Sequence, residues 1–242
     1  MENQKKIAAE AALDFVDNGM KLGLGTGSTA EIFVELLGQR VADGLDVVCV
    51  PTSEEIKIKA ELLSIPLTTL DVETELDLTV DGADEIDENL HLIKGGGGAL
   101  LREKIVAAAS QKCVIIAHEN KCVEKLGAFP LPVEVVKFGL GVTTEMVQVL
   151  SEEAGCSGAV SLRKSESGAA VVTDEGHYLL DCHFNYIPSP EDLEDALSVV
   201  PGVVETGLFL NFADYALIGT DSGVKMIEAQ QENTNTNIHN LI

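Results

Sequence analysis

The clearest sign of the fold is residues 20–29, which read MKLGLGTGST. Apolar side chains alternate over 20–24, a pattern typical of a strand. Small and hydroxyl residues follow, and Ser28 with Glu31 fits a capping box, so a helix is predicted to begin at Ser28. A strand that passes directly into a helix is the first half of a strand–helix–strand unit.

The same alternation of strands and helices continues through the first half of the chain. Strands are predicted at about 47–50, 76–80, 90–93 and 113–117. Helices are predicted at about 5–17, 28–38, 52–63 and 99–110, where Thr52 and Glu55 fit a second capping box. Strands separated by helices of this length predict a parallel sheet with right-handed crossovers.

The pattern changes near Phe129. From about 130 to 206 the order is strand, helix, strands, helix, strand, with strands expected at 159–163, 169–173, 177–183 and 203–210. This is the order of a small α+β, ferredoxin-like unit. A strand at 215–219 and a short helix at 224–229 are expected to return to the first sheet. We therefore expect an α/β domain of residues 1–129 and 207–229, a small α+β domain of 130–206, and a polar, frayed tail of 230–242.

Composition excludes several classes of function. Lys and Arg number 16 against 40 Asp and Glu, a formal charge of −24. This balance argues against a nucleic-acid binder and against adhesion to an anionic membrane, but it permits a small anionic substrate in a locally positive site. No apolar run reaches the ~20 residues of a membrane span. Five cysteines without a CxxC pair favour free thiols, hence a reducing, cytoplasmic compartment.

Residues 23–29, GLGTGST, predict an anion site. A strand end followed by a helix start presents backbone N–H groups and the positive end of the helix dipole. Ser28 stands where the dinucleotide fingerprint has its third glycine, and the next strand ends in Val50-Pro51-Thr52 without an acidic residue. A single phosphate is therefore favoured over a dinucleotide, and a tight turn with no ligand is the alternative.

Residues 81–85, DGADE, form an acidic cluster after an apolar strand. Open α/β sheets bind their ligands at this end of the strands. The spacing allows Asp81 and Asp84 to direct their carboxylates into one turn, where they could bind sugar hydroxyls or relay protons. The motif lacks the glycine and glutamate spacing of a calcium-binding loop. A solvated acidic turn is the alternative.

Residues 94–104, KGGGGALLREK, contain four consecutive glycines. Each loses roughly 0.5–1 kcal/mol against Ala in regular structure, so a close approach to a ligand, or N–H groups facing an oxyanion, is predicted. Glu103 shares a helix face with Leu100, Val106 and Ala107. Desolvation there is expected to raise its pKa, which suits a general base. A flexible loop beside an ordinary helix-start Glu is the alternative.

The remaining candidate residues say less about function. Lys121 follows a predicted strand end and could point into the same crevice, although a surface lysine is the simpler interpretation. No metal-ligand spacing is found among the His and Cys residues. No Ser/His/Asp nucleophile pattern is found either.

Four motifs resemble the ribose-5-phosphate isomerase A family: GTGST, DGADE, KGGGGALLREK and FPLPVEV, in this order and at these spacings. The resemblance extends from the N-terminal helix to about Ile227 and includes PGVVETGLF and ALIGT. It implies a Rossmann-like, mostly parallel sheet with a second, smaller α+β (ferredoxin-like) domain. It also implies a homodimer or homotetramer.

The resemblance further implies interconversion of D-ribose 5-phosphate and D-ribulose 5-phosphate, in the non-oxidative pentose phosphate pathway, without a metal or organic cofactor. Glu103 would move a proton between C1 and C2 through an enediolate. Asp81 and Asp84 would bind sugar hydroxyls and assist ring opening. The remaining implied positions hold the oxyanion, the sugar or the phosphate: Lys94 with Gly95, Gly96 and Gly97; Gly82 and Ala83; Thr26, Gly27, Ser28 and Thr29; Lys121 and Lys5.

Two other functions are compatible with these motifs. A non-catalytic sugar-phosphate sensor of the same fold would bind the sugar without converting it. An acyl transferase of the coenzyme A transferase type would use Glu103 as a nucleophile and form a covalent thioester on it.

Overall fold

The structure is a computed structural model that describes residues 1–229, so the predicted tail at 230–242 lies outside the described residues. The helices are α1 (Glu2–Ala12), α2 (Ser28–Ala42), α3 (Glu54–Leu62), α4 (Leu100–Ala108), α5 (Leu140–Glu153) and α6 (Pro190–Ser198). The strands are β1 (Met20–Leu24), β2 (Val47–Pro51), β3 (Leu78–Asp81), β4 (Glu85–Ile86), β5 (Leu92–Ile93), β6 (Cys113–His118), β7 (Leu131–Val135), β8 (Val160–Leu162), β9 (Tyr178–Cys182), β10 (Val203–Thr206), β11 (Leu208–Phe209), β12 (Tyr215–Thr220) and β13 (Gly223–Glu228).

The chain forms two compact units. Of the described residues, the first unit comprises Met1–Ala83, Arg102–Cys122 and 211–229; the second comprises Asp84–Leu101 and Val123–Leu210. These units differ from the expected domains by including 84–101, 123–129 and 207–210 in the second unit, and the domain boundaries stay a prediction. Among residues 1–229, no helix is long and apolar enough to cross a membrane.

The first unit contains a six-stranded sheet with the order β13-β12-β6-β3-β1-β2. Every neighbouring pair is parallel except β12 with β13, so the expected mostly parallel α/β sheet is confirmed. The fully buried side chains of Leu22, Leu24, Phe33 and Ile116 belong to its core. In this sheet β1, β3 and β6 are neighbours, and because they are parallel, the loops after Leu24, Asp81 and His118 leave the same edge.

The helix expected at 224–229 is wrong. This segment is β13, which pairs with β12 in register from Tyr215 opposite Glu228 to Thr220 opposite Gly223. Asp221 and Ser222 make the two-residue connection between the strands. Pairing along the full length of a tight hairpin satisfies the backbone groups of this edge strand that face β12 and overrides the local helical pattern.

The second unit contains a four-stranded antiparallel sheet, β10-β7-β9-β8, and a small sheet, β11-β5-β4. Apolar side chains of β7, β9, α5 and α6 form its core, including Val133, Leu180, Val147 and Leu193. The strand expected at 169–173 is wrong, since this segment makes only isolated bridges, from Ala170 to Lys164 and from Val172 to Tyr178.

The strand expected at 203–210 is divided into β10 and β11, which belong to different sheets. Gly207 separates them and packs against the Lys94 carbonyl, where a side chain would overlap. The Lys94 N–H donates to the Gly207 carbonyl at 2.9 Å. Gly207 thus aligns the chain beside β5, directly before the four-glycine segment.

Candidate active site

The loop between β1 and α2, residues 25–27, ends at Gly27, the residue before the helix. Gly27 has φ +110°, a backbone conformation that favours glycine. The predicted cap by Ser28 is wrong, because Ser28 is already the first helical residue and the helix start has no side-chain cap. The first N–H groups of α2 therefore point out of the helix end, the arrangement that binds anions.

Asp81, at the end of β3, fixes this loop. Its Oδ1 accepts the Thr26 N–H at 3.1 Å and the Gly82 N–H at 2.7 Å, and the residue is only 2% exposed. A side chain on Gly25 would overlap both the carboxylate and the Cα of Asp81. Glycine at position 25 therefore lets the Asp81 carboxylate reach the loop backbone.

Hydroxyl groups from the end of β2 hold the other side of the same loop. The Thr26 and Thr52 hydroxyls lie 2.7 Å apart, and the Thr26 hydroxyl is 2.9 Å from Ser53 Oγ. The Thr52 hydroxyl donates to the Leu24 carbonyl at 2.9 Å, and Thr52 is fully buried. These uncharged groups tie the Thr26 side chain to the neighbouring strand.

The predicted cap of α3 by Thr52 is wrong, because the Thr52 hydroxyl is turned to β1. Ser53 is the capping residue, and its Oγ accepts the Ile56 N–H at 3.2 Å. Sequence reasoning missed Thr52 and Ser53 as supports of the Thr26 loop. The available signal was two hydroxyl residues directly after a strand that neighbours β1.

Glu103 is 4% exposed on α4. Two observations show how this helix lies on the sheet. The Oγ of Ser110, two residues after the helix, is 2.6 Å from Thr79 Oγ1 of β3, and Val106 packs so closely on Gly23 of β1 that an added Cβ there would lie 2.5 Å from Val106 Cγ1. Glu103 is three residues before Val106, so it shares the sheet-facing side. It lies one turn closer to the carboxyl ends of β1 and β3.

A group of positive charges lies around the end of β6, despite the net charge of −24. Burial lowers the pKa of His118 below its ordinary value, and the charges of Lys121, Lys5 and the N-terminal amine lower it further. Glu119 acts in the opposite direction. The charges of Lys5 and Lys121, two of the expected binding residues, are thus both felt at His118 in the first unit.

In the second unit, Asp84 contacts the four-glycine segment. The Gly96 N–H donates to Asp84 Oδ2 at 2.7 Å, and a side chain on Gly96 would lie 2.6 Å from Asp84 Oδ1. Gly95 has φ +97° and faces Leu100, and its carbonyl accepts the Gly98 N–H at 2.9 Å, closing a four-residue turn. This segment therefore has geometric reasons for its glycines.

Lys94 precedes this turn at the end of β5. It is 3% exposed, and its Nζ lies 5.3 Å from the centre of the Phe209 ring, within range of a cation–π contact. A buried ammonium group beside a glycine turn supplies positive charge in a region with little competing water.

The predicted site residues divide between the two units. Thr26, Gly27, Ser28, Thr29, Asp81, Gly82, Ala83, Glu103, Lys121 and Lys5 belong to the first, and Asp84, Lys94, Gly95, Gly96 and Gly97 belong to the second. The first unit joins Thr26 to Asp81, and the second joins Gly96 to Asp84. Within residues 1–229, no group of three or more His, Cys, Asp or Glu residues is placed to hold a metal ion.

Comparison with known proteins identifies the family. The family model for ribose 5-phosphate isomerase A (phosphoriboisomerase A) matches residues 48–223. The ribose-5-phosphate isomerase A of Nitrobacter hamburgensis is 55% identical over 224 residues, which cover 93% of this chain and 97% of that protein. The chain belongs to the ribose-5-phosphate isomerase A family.

Solved structures of ribose 5-phosphate isomerases have the same fold as this chain. The ribose 5-phosphate isomerase of Plasmodium falciparum has a TM-score of 0.90 at 38% identity, covering 96% of this chain and all of that one. A D-ribose-5-phosphate isomerase in complex with phospho-erythronic acid has a TM-score of 0.88 at 39% identity, covering 94% of this chain and 98% of that one. The family fold therefore extends over nearly the whole chain.

Proposed function

We propose that this protein interconverts D-ribose 5-phosphate and D-ribulose 5-phosphate, in the cytoplasm, as a step of the non-oxidative pentose phosphate pathway. The observation that carries the proposal is a buried glutamate, Glu103, in a chain that matches this isomerase family over 93% of its length. The acidic surface is compatible with an anionic substrate because the lysines around His118 make one region locally positive.

Glu103 is the proposed base. Its carboxylate takes the proton from C2 of the open-chain aldose, the electron pair forms the C1–C2 double bond, and the carbonyl oxygen on C1 becomes the enediolate oxygen. The same proton is then given to C1, while the oxygen on C2 becomes the ketose carbonyl and its proton passes to the oxygen on C1. Glu103 is buried, so little water competes for its carboxylate while it moves the proton.

Asp81 and Asp84 are proposed to bind sugar hydroxyls and to assist ring opening. Each has one carboxylate oxygen held by backbone N–H groups, so its orientation is set before the sugar arrives. Lys94 and the backbone of residues 95–97 are proposed to stabilise the enediolate oxygen, while the Gly96 N–H holds Asp84.

The proposed phosphate site is the start of α2. Its uncapped N–H groups and helix dipole favour an anion, and Ser28 and Thr29 add hydroxyl donors, while Thr26, whose hydroxyl donates to Ser53, is proposed to shape the loop. Lys5 and Lys121 add positive charge, and the Gly82–Ala83 backbone is proposed to line the sugar. A relative was solved with phospho-erythronic acid, and we expect this chain to bind the same acid as a competitive inhibitor.

The test is turnover of D-ribose 5-phosphate, followed as ketose formation, by the wild type, Glu103→Gln and the control Glu55→Gln. Glu55 is an exposed glutamate of α3. We expect Glu103→Gln to lower kcat by about 10²–10⁴-fold with binding retained, because general-base terms have this size, and Glu55→Gln to match the wild type.

Other outcomes point to other functions. Binding of ribose 5-phosphate without conversion by folded wild type would indicate a sensor. A covalent thioester on Glu103 after incubation with an acyl-coenzyme A would indicate acyl transfer. Near-wild-type turnover by Glu103→Gln would remove Glu103 from the base role.

We further propose a metal-free mechanism and a homodimer or homotetramer. Dialysis against a chelator should leave kcat unchanged, and loss of activity that Mg²⁺ or Zn²⁺ restores would refute this. Sedimentation equilibrium should give two or four times the chain mass of 25.7 kDa, and a monomer would contradict the proposed assembly.

A further inference from the structure

Arg163 connects the four-glycine segment to the antiparallel sheet of the second unit. It follows β8, and its side chain is 14% exposed. Its Nη1 donates to the Gly95 carbonyl at 2.9 Å and to the Gly96 carbonyl at 3.1 Å. Its Nε donates to both carboxylate oxygens of Asp181, a residue of β9, at 3.1 and 3.0 Å. One guanidinium group thus joins two backbone carbonyls to a strand.

The two carbonyl contacts determine where the next N–H groups point. A trans peptide is planar, and its N–H points away from its C=O. The Gly95 carbonyl shares a peptide with the Gly96 N–H, and the Gly96 carbonyl shares one with the Gly97 N–H. Because both carbonyls converge on one nitrogen, both N–H groups are directed away from Arg163. The Gly96 N–H indeed meets Asp84 on the opposite side.

Such a segment needs external restraint. Glycine loses more conformational freedom on ordering than any other residue, so four in succession do not hold one conformation by themselves. The turn bond from Gly98 to Gly95 closes the segment, but it does not determine the direction of the Gly96 carbonyl. Asp84 and Arg163 hold the peptide between Gly95 and Gly96 from both ends.

The chemistry of the arginine suits this arrangement. A guanidinium presents five donors in a rigid plane, so it can bind a carboxylate with one edge and carbonyls with another. Asp181 neutralises its charge and fixes the plane. A lysine could pair with Asp181, but its single compact ammonium cannot reproduce the planar fork.

We propose that Arg163, oriented by Asp181, is a positioning residue that holds the Gly95–Gly96 peptide against Asp84 and directs the Gly97 N–H toward the reacting oxygen of the substrate. The inference rests on the proposed isomerase function and extends it to a pair of residues outside the catalytic motifs. The pair acts through the loop backbone and contacts no substrate. Preorganised N–H donors act on charge that develops during the reaction, so the pair should affect kcat rather than binding.

The first experiment measures kcat and KM for D-ribose 5-phosphate in Arg163→Met, Arg163→Lys and the control Lys164→Met. Lys164 is the exposed neighbour in the sequence. We expect kcat to fall about 10²-fold in Arg163→Met, with KM little changed, because small displacements of positioned groups have effects of this size. Arg163→Lys should recover little of the loss, and Lys164→Met should match the wild type.

The second experiment requires no turnover. Amide hydrogen exchange of residues 95–98 should accelerate in Arg163→Met and, to a smaller extent, in Asp181→Asn, and should be unchanged in Lys164→Met. Asp181→Asn retains an acceptor oxygen, so it keeps the test available if Arg163→Met does not fold.

Each result has a defined meaning. Unchanged exchange at 95–98, full recovery of kcat by Arg163→Lys, or a loss confined to KM would overturn the positioning role. A wild type that converts no ribose 5-phosphate would refute the proposed function and the catalytic part of this inference. In that case the exchange data would still decide whether Arg163 holds the loop.

Discussion

Two glycine-rich loops of this protein are held by different kinds of interaction. In the first unit, residues 25–27 are tied to the hydroxyls of Thr52 and Ser53 at the end of the neighbouring strand. In the second unit, the Gly95–Gly96 backbone is tied to the guanidinium of Arg163. Each loop also gives one backbone N–H to one aspartate of the DGAD motif: the first to Asp81, the second to Asp84.

The difference follows from what lies beside each loop. The first loop continues into α2, whose backbone is ordered by its own hydrogen bonds, so besides Asp81 it needs only short uncharged contacts to the residues after β2. The second loop is a turn of consecutive glycines with little order of its own, and charged groups supply the restraint. The sequence motif alone, two glycine runs near two aspartates, does not reveal this difference.

The largest difference between the two loops is expected when one glycine of each is replaced by alanine, in the variants Gly25→Ala and Gly96→Ala. The added methyl at 25 overlaps the Asp81 Cα, which is backbone, whereas at 96 it meets only the Asp84 carboxylate, which can rotate. We expect Gly25→Ala to lower the free energy of unfolding by about 3 kcal/mol and Gly96→Ala by about 1 kcal/mol, measured by denaturant titration.

Gly141→Ala is the matched control for this pair. Gly141 lies in α5 with no atom near the position of an added methyl, so the change should stabilise the protein by up to about 1 kcal/mol. If Gly25→Ala and Gly96→Ala lowered the free energy of unfolding equally, the two aspartates would approach their loops equally closely. That result would contradict the structure.

A smaller effect is expected from Thr52→Val, which removes the buried hydroxyl without changing the shape of the side chain. The Leu24 carbonyl loses one of its two donors and keeps the Thr52 N–H, and the Thr26 hydroxyl loses a partner but keeps Ser53. We expect a loss of about 1–2 kcal/mol in the free energy of unfolding and faster amide exchange at residues 25–27. Thr52→Ser should retain most of the stability, and exchange at 95–98 should not change in either variant.

The two loops should therefore respond separately. Thr52→Val accelerates exchange in the first loop and Arg163→Met in the second. Acceleration of both loops by either variant would indicate one cooperative element and would remove the distinction.

The smallest effect concerns the charges around His118 in the first unit. Because folding lowers the pKa of His118 below 6.5, the unfolded chain binds this proton first as the pH falls. The resulting stability is fully present above pH 6.5 and is lost as the pH falls toward the lowered value. His118→Gln should flatten this part of the dependence of unfolding free energy on pH, with exposed His183→Gln as the control. An unchanged slope would contradict the burial effect.

The sequence predicts the parts of the molecule that depend on neighbours along the chain. The strand at 20–24, the acidic end of β3 and the helix that carries Glu103 each follow from local pattern. Several wrong predictions arise where a partner elsewhere in the chain competes with the local pattern. Thr52 has a good capping pattern with Glu55, yet its hydroxyl bonds to Leu24 across the sheet.

Arg163 is the clearest case of information that is not local. It stands in a polar stretch, RKSESG, that resembles an exposed turn, and its two glycine partners lie more than 60 residues earlier. Only the pairing of β8 with β9 brings it beside Asp181. The charge pattern of the sequence therefore predicted the acidic motif but not the arginine that supports the neighbouring loop.

The most direct test of the proposed chemistry is the fate of the hydrogen on C2 when D-ribose 5-phosphate is equilibrated with the wild-type protein in D₂O. Proton transfer through Glu103 predicts that deuterium from the solvent accumulates at C1 of the ketose over many turnovers, and that Glu103→Gln loses this exchange together with turnover. Conversion without any incorporation of deuterium would indicate a direct hydride shift and would contradict the enediolate mechanism.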